Sequence, residues 1–83
     1  MKSKHKIDVM WEIMSAMNKH SAYWFTAEAF SWELDVDEQL INRNLEQLVE
    51  WGLVEHLDLT IEWYRITRRG QQQVHEYRLQ RSA

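Results

Sequence analysis

Residues 37–54, DEQLINRNLEQLVEWGLV, decide how the rest of the chain is read. At 100° per residue, Leu40, Ile41, Leu45, Leu48, Val49 and Trp51 fall within one half of a helix circumference. Gln39, Asn42, Arg43, Glu46, Gln47 and Glu50 occupy the other half. Asp37 is the natural N-cap, because its carboxylate can accept a backbone N–H that the first turn leaves without a helical partner. Gly52 supplies the left-handed residue that stops the helix, and Leu53-Val54 begins a strand. The stretch is a helix over 37–51 with one dry face and one wet face.

Working outward from it, residues 5–19 carry Ile7, Met10, Trp11, Met14 and Met17 at helical spacing, widened by Val9, Ile13 and Ala16. That breadth predicts a first helix packed on two sides or shared with a second copy. Its methionines read as irregular core filling. Tyr23-Trp24-Phe25 is a short strand-type run. Thr26 caps a short helix over 27–34, with Ala27, Phe30, Ser31 and Leu34 inward and Glu28 and Trp32 outward. Asp35 tolerates the left-handed turn between the two helices, and Val36 plugs the corner.

Beyond Gly52, residues 54–57 and 61–66 predict a hairpin turning near Asp58. Val54, Tyr64 and Ile66 suit its core side. Leu57, Leu59, Ile61 and Trp63 form a second apolar set at the tip and outer face. Thr67 caps a last helix over 68–80 whose apolar edge is thin: Val74, Tyr77 and Leu79.

Eighty-three residues without cysteine predict one domain over 1–83, with a core about 7–80, stabilised by apolar burial alone. Five tryptophans supply large areas for that burial. Lysines precede an apolar run at the start, but Asp8 and Glu12 interrupt it and no small-residue cleavage site follows. No segment is long and apolar enough to span a bilayer. The expectation is a cytoplasmic protein in a reducing compartment, with no membrane partner.

The net charge of −3 conceals a segregation. Residues 26–62 hold ten acids and one base, Arg43, a balance of −9. Both ends are basic, +2 over 1–25 and +4 over 63–83. No catalytic, cofactor or metal set is visible. His5, His20, His56 and His75 are isolated, without a His or Cys at ligand spacing, and two glycines cannot build a phosphate loop. The sequence predicts a protein that is not an enzyme.

The order of elements resembles the winged-helix (winged helix-turn-helix) superfamily, an α+β fold. The matching residues are Thr26-x3-Phe30-Ser31-x2-Leu34-x-Val36, then Ile41-x3-Leu45-x2-Leu48-x3-Gly52-Leu53-Val54, then Tyr64-Arg65-Ile66-Thr67-x2-Gly70. The last part is similar to the "GLV … Y-x-[LIV]-T-x-x-G" spacing of small MarR-like and PadR-like regulators of bacteria and phages. This resemblance implies a three-helix core, a short three-stranded sheet with a hairpin wing over 54–66, and a C-terminal helix.

It also implies transcriptional regulation by duplex DNA binding, with 37–51 as the recognition helix in the major groove. Carried over residue by residue, Gln39, Asn42, Arg43 and Gln47 become candidate base readers, since Asn and Gln pair with adenine and Arg with guanine. Thr26, Lys19, Arg65, Arg68 and Arg69 become candidate phosphate contacts, with Lys2, Lys4 and Lys6 further basic residues outside the helix-turn-helix. A homodimer is expected, because a lone winged helix needs two half-sites for affinity; the first and last helices are its elements.

The chain departs from the family in charge. Glu38, Glu46 and Glu50 flank the readers, and Glu55, Asp58 and Glu62 stand on the wing, where phosphates call for Lys or Arg. A second expectation therefore stands beside the first. It is an interaction module or nucleic-acid mimic that offers its acidic face to a basic protein surface, with Trp32, Leu57, Leu59, Ile61 and Trp63 as contacts.

Overall fold

A computed structural model describes residues 6–82 of the chain. Lys2, Lys4 and His5, named above, lie outside the described residues, as do the Lys6 and Ile7 side chains. The element order is α1 (Lys6–Lys19), α2 (Ala27–Leu34), α3 (Glu38–Glu50), β1 (Val54–Asp58), β2 (Glu62–Ile66) and α4 (Arg68–Ser82). β1 and β2 pair antiparallel, from Val54↔Ile66 at the base to Asp58↔Glu62 at the tip.

The aromatic run before α2 is not a full strand. Phe25 makes one bridge to Tyr64, each donating its N–H to the other's carbonyl at 2.7 Å. Thr26 must turn directly into the α2 cap, which leaves no length for a longer ladder. The expected three-stranded sheet is thus a two-stranded hairpin with a single-residue bridge on the free edge of β2.

The caps form where the residue types suggest. Thr26 Oγ1 accepts the Ala29 N–H, and Asp37 Oδ1 accepts that of Gln39. Asp35 is the one described non-glycine residue at positive φ, 54°. Ser31 ties this corner: its carbonyl accepts the Val36 N–H, and its hydroxyl donates to the Val36 carbonyl at 2.6 Å.

α3 ends in a Schellman turn. Gly52 has φ +77°, its N–H reaches the Val49 carbonyl, and the Leu53 N–H reaches that of Leu48. The Leu53 carbonyl then accepts from the Thr67 N–H, and the Thr67 hydroxyl donates to the Gly52 carbonyl at 2.8 Å. The same hydroxyl accepts the Gly70 N–H, capping α4.

The core joins Val9, Ile13, Met14 and Met17 of α1, Phe30 of α2, Ile41, Leu45 and Leu48 of α3, and Val54, Tyr64, Ile66 and Val74. α1 sits centrally, and most of its wide stripe is covered within the chain. Trp11 stacks on Tyr77 of α4 with ring centroids 3.9 Å apart.

Two positions on the dry side differ from expectation. Trp51 is 50% exposed, because α3 stops at Glu50 and the ring lies past the end of the packed helix. Leu79 is exposed, so the apolar edge of α4 reduces to Val74 and Tyr77. Asn44 falls inside the dry arc and is fully buried.

Gly70 is required by packing. A Cβ there would overlap the Leu53 carbonyl oxygen and come within 2.7 Å of Ile66 Cγ1. Glycine in a helix interior is normally worse than alanine by roughly 0.5–1 kcal/mol. Here Gly70→Ala is expected to destabilise the protein, by about 1–3 kcal/mol, since backbone must shift to admit the methyl. Urea denaturation checks this; a midpoint that rises would mean α4 moves freely against Leu53.

Candidate nucleic-acid interface

The exposed face of α3 is built by its own amphipathicity. Ile41, Leu45 and Leu48 anchor one side in the core and turn the other outward. Gln39 and Arg43 are exposed, and Asn42 and Gln47 are half-buried. Gln47 donates from Nε2 to Glu50 Oε1 at 3.2 Å, so one candidate reader is already engaged by a neighbouring acid. No described residue pairs with Arg43.

The hairpin register sorts the wing into two faces, because directly paired residues project to the same side. One face carries His56, Asp58, Glu62 and Tyr64, continuing the core side beyond Val54 and Ile66. The other carries Glu55, Leu57, Trp63 and Arg65. Arg65 Nε donates to Glu55 Oε2 at 3.2 Å, and its guanidinium lies 4.3 Å from the Trp24 ring centre. This candidate phosphate contact is therefore already paired with an anion and seated on an aromatic face.

The other phosphate candidates are dispersed. Thr26 spends its hydroxyl on the α2 cap and lines a groove of about 260 Å³ between α2, α3 and the wing. Glu28, Glu38, Asn42 and Glu62 line that groove too, so Thr26 shares it with three carboxylates. Lys19 borders a different groove, between α1 and α4, beside Trp11, Tyr77 and Arg81. Arg68 and Arg69 are exposed in the first turn of α4. Arg69 Nη1 lies 3.8 Å from the position of a Cβ on Gly52, close to the negative C-terminal end of α3, where the helix dipole favours a cation.

The apolar contact set is divided as well. Leu57, Leu59 and Trp63 join Trp24 around a shallow apolar hollow of about 280 Å³ on the outer wing face. Ile61 instead borders the acidic groove. Trp32 is 81% exposed on α2 and lines neither.

Around Tyr64 the acids converge. Burial, and then the charge and hydrogen bond of Glu62, push its hydroxyl up to about 12, with Glu46 and Asp58 adding to the effect. His56 stacks on the Tyr64 ring, and its Nε2 is 2.9 Å from Glu62 Oε1. Isolated in sequence, His56 thus stands beside Asp58 and Glu62 in space. Alternation along the hairpin carried that signal, once the register was known.

Asn44 is the other residue that periodicity alone passes over. Its Nδ2 donates to the Leu40 carbonyl at 2.8 Å, whereas Oδ1 is buried without a partner. An unmet buried acceptor costs about 1–3 kcal/mol.

No protein-family model matches the chain, and no curated protein matches it by sequence. Solved structures match the fold. One is ZitR of Lactococcus lactis, a double mutant in its apo form, with 12% identity and a TM-score of 0.75 over 93% of this chain and 59% of that one. Another is PefR of Streptococcus agalactiae, a heme sensor protein in complex with heme, with 10% identity and a TM-score of 0.76 over 92% and 54%. The chain spans a little over half the length of each. At this identity the likeness establishes the fold: the chain is a winged helix, with α2 and α3 as the helix-turn-helix and β1–β2 as the wing.

Asn44→Leu replaces the unmet amide by a side chain of similar branching. Stability is expected to hold or to rise by up to about 1 kcal/mol. A clear loss in chemical denaturation would mean that the amide oxygen has a partner such as bound water.

Proposed function

We propose that the chain is a DNA-binding regulator that reads duplex DNA with the exposed face of α3. The observation that carries this reading is that face itself. Gln39, Asn42, Arg43 and Gln47 project from the second helix of a helix-turn-helix, with Arg43 unpaired by any described residue. Asn and Gln suit adenine and Arg suits guanine in the major groove. The winged-helix fold shared with ZitR and PefR supports the same reading. Arg68 and Arg69 are the exposed cations best able to meet flanking phosphates, since Arg65 is held by Glu55. Two copies joined through α1 and α4 would present two recognition helices to two half-sites.

A second reading has its own supporting observation. The groove beside the N-terminus of α3 is lined by Glu28, Glu38 and Glu62 and adjoins Asn42 of the proposed reading face. Such a surface suits a basic protein partner, which would make the domain an interaction module or nucleic-acid mimic.

A titration against random duplex DNA at rising salt separates the two. DNA binding predicts a log–log slope of about −0.9 for each phosphate neutralised. Absence of binding at low salt would remove the first reading and leave the second.

If α3 reads bases, Arg43→Ala should cost about 1–3 kcal/mol at a specific site selected from a random pool. Unchanged affinity in that assay takes Arg43 out of the interface.

A further inference from the structure

His56 and Asp58 are two residues apart on β1, and Glu62 is the cross-strand partner of Asp58. All three therefore project from one face of the wing. One ligand-type atom from each lies within 4.8 Å of the others. His56 Nε2 and Glu62 Oε1 are already 2.9 Å apart. Two ligands held about 2.0–2.2 Å from one zinc ion are roughly 3–4 Å apart, so rotation of the exposed carboxylates closes what remains.

The imidazole distinguishes this group from a patch of surface acids. It offers a nitrogen donor beside two carboxylates, a set suited to borderline divalent ions. Groups that would not touch the ion orient two of the ligands. The His56 ring lies parallel to the Tyr64 ring, 9° between planes and 4.8 Å between centres. The Tyr64 hydroxyl donates to the same Glu62 carboxylate oxygen that faces His56. Such support is what fixes the geometry of metal-binding histidines and carboxylates. Tyr64 is itself fixed, buried in the core and hydrogen-bonded through its backbone to both Phe25 groups.

We propose that this face of the wing binds one divalent first-row transition metal ion of the zinc type, through His56 Nε2 and the Asp58 and Glu62 carboxylates. Solvent fills the remaining coordination positions. A bound dication cancels the two carboxylate charges at the tip of the hairpin, beside the groove where Glu62 meets Glu38 and Asn42. The inference rests on the hairpin geometry and is independent of whether α3 reads DNA.

Calorimetric titration of the full chain with zinc chloride at neutral pH, and with magnesium chloride in parallel, tests it. One zinc per chain is expected, with far weaker heat from magnesium. His56→Ala, Asp58→Asn and Glu62→Gln are each expected to weaken zinc binding by roughly tenfold or more. Asp58 and Glu62 are exposed, so circular dichroism should be unchanged in Asp58→Asn and Glu62→Gln, and these two carry the test should His56→Ala, whose side chain is only 29% exposed against Tyr64, disturb the fold. Zinc-induced amide shifts in two-dimensional NMR should centre on residues 56–64. No zinc binding, unaltered affinity in the three variants, or shifts centred on His20 or His75 would each overturn the site.

Discussion

The carbonyls of Gly52 and Leu53 hold this fold together. One accepts the Thr67 hydroxyl, the other the Thr67 N–H, and the Gly70 backbone lies against Leu53 with no room for a side chain. Four elements meet there: the end of α3, the start of β1, the end of β2 and the first turn of α4. The left-handed Gly52 is what turns the chain so that those two carbonyls point at Thr67. Each such cap or turn contributes on the order of 1 kcal/mol. Their effect is larger than that sum, because the turn also fixes the direction in which the hairpin leaves α3. The relation of the wing to α3 follows from it.

Charge opposes the use that the fold suggests. The exposed face of α3 carries the candidate base readers, yet Glu28, Glu38 and Glu62 line the groove beside it, and the described cations Lys19, Arg65 and Arg69 lie apart from one another. Arg65 is neutralised by Glu55, Lys19 lies at the α1–α4 groove, and Arg69 sits at the C-terminal end of α3. Phosphate attraction is a large share of DNA affinity, so a face like this binds weakly unless specific base contacts or a second copy contribute. The acids on the inner wing face are organised: they converge on Tyr64 and His56, whose rings stack.

Most of the local structure was legible in the residues. Thr26, Asp35, Asp37, Gly52 and Thr67 each act through their own side chain or their own φ, so their roles can be read without neighbours. The core side of α3 was legible because burial follows the helical period. Trp51 broke that reading, since periodicity does not know where a helix stops being covered. Asn44 was passed over because a polar side chain in a dry arc is explained only by seeing it packed. The third strand shrank to a bridge because the α2 cap takes the next residue.

The sequence by itself determined the order of elements, their caps and stops, the apolar faces and the segregation of charge. Those are local properties, set by a residue's own conformational limits or by spacing along one helix. Only the tertiary structure decided which charges remain available and which side chains become neighbours. Arg65 lost its freedom to Glu55 and Trp24, Gly70 was demanded by the Leu53 carbonyl, and His56 gained Asp58 and Glu62. The reason is hairpin register and helix docking: shifting β1 against β2 by one residue would reverse the faces and undo each wing pairing, and the linear pattern does not specify that alignment. The stretch at 37–54 therefore fixed what kind of domain this is, while the hairpin that follows it decides what its surface can hold.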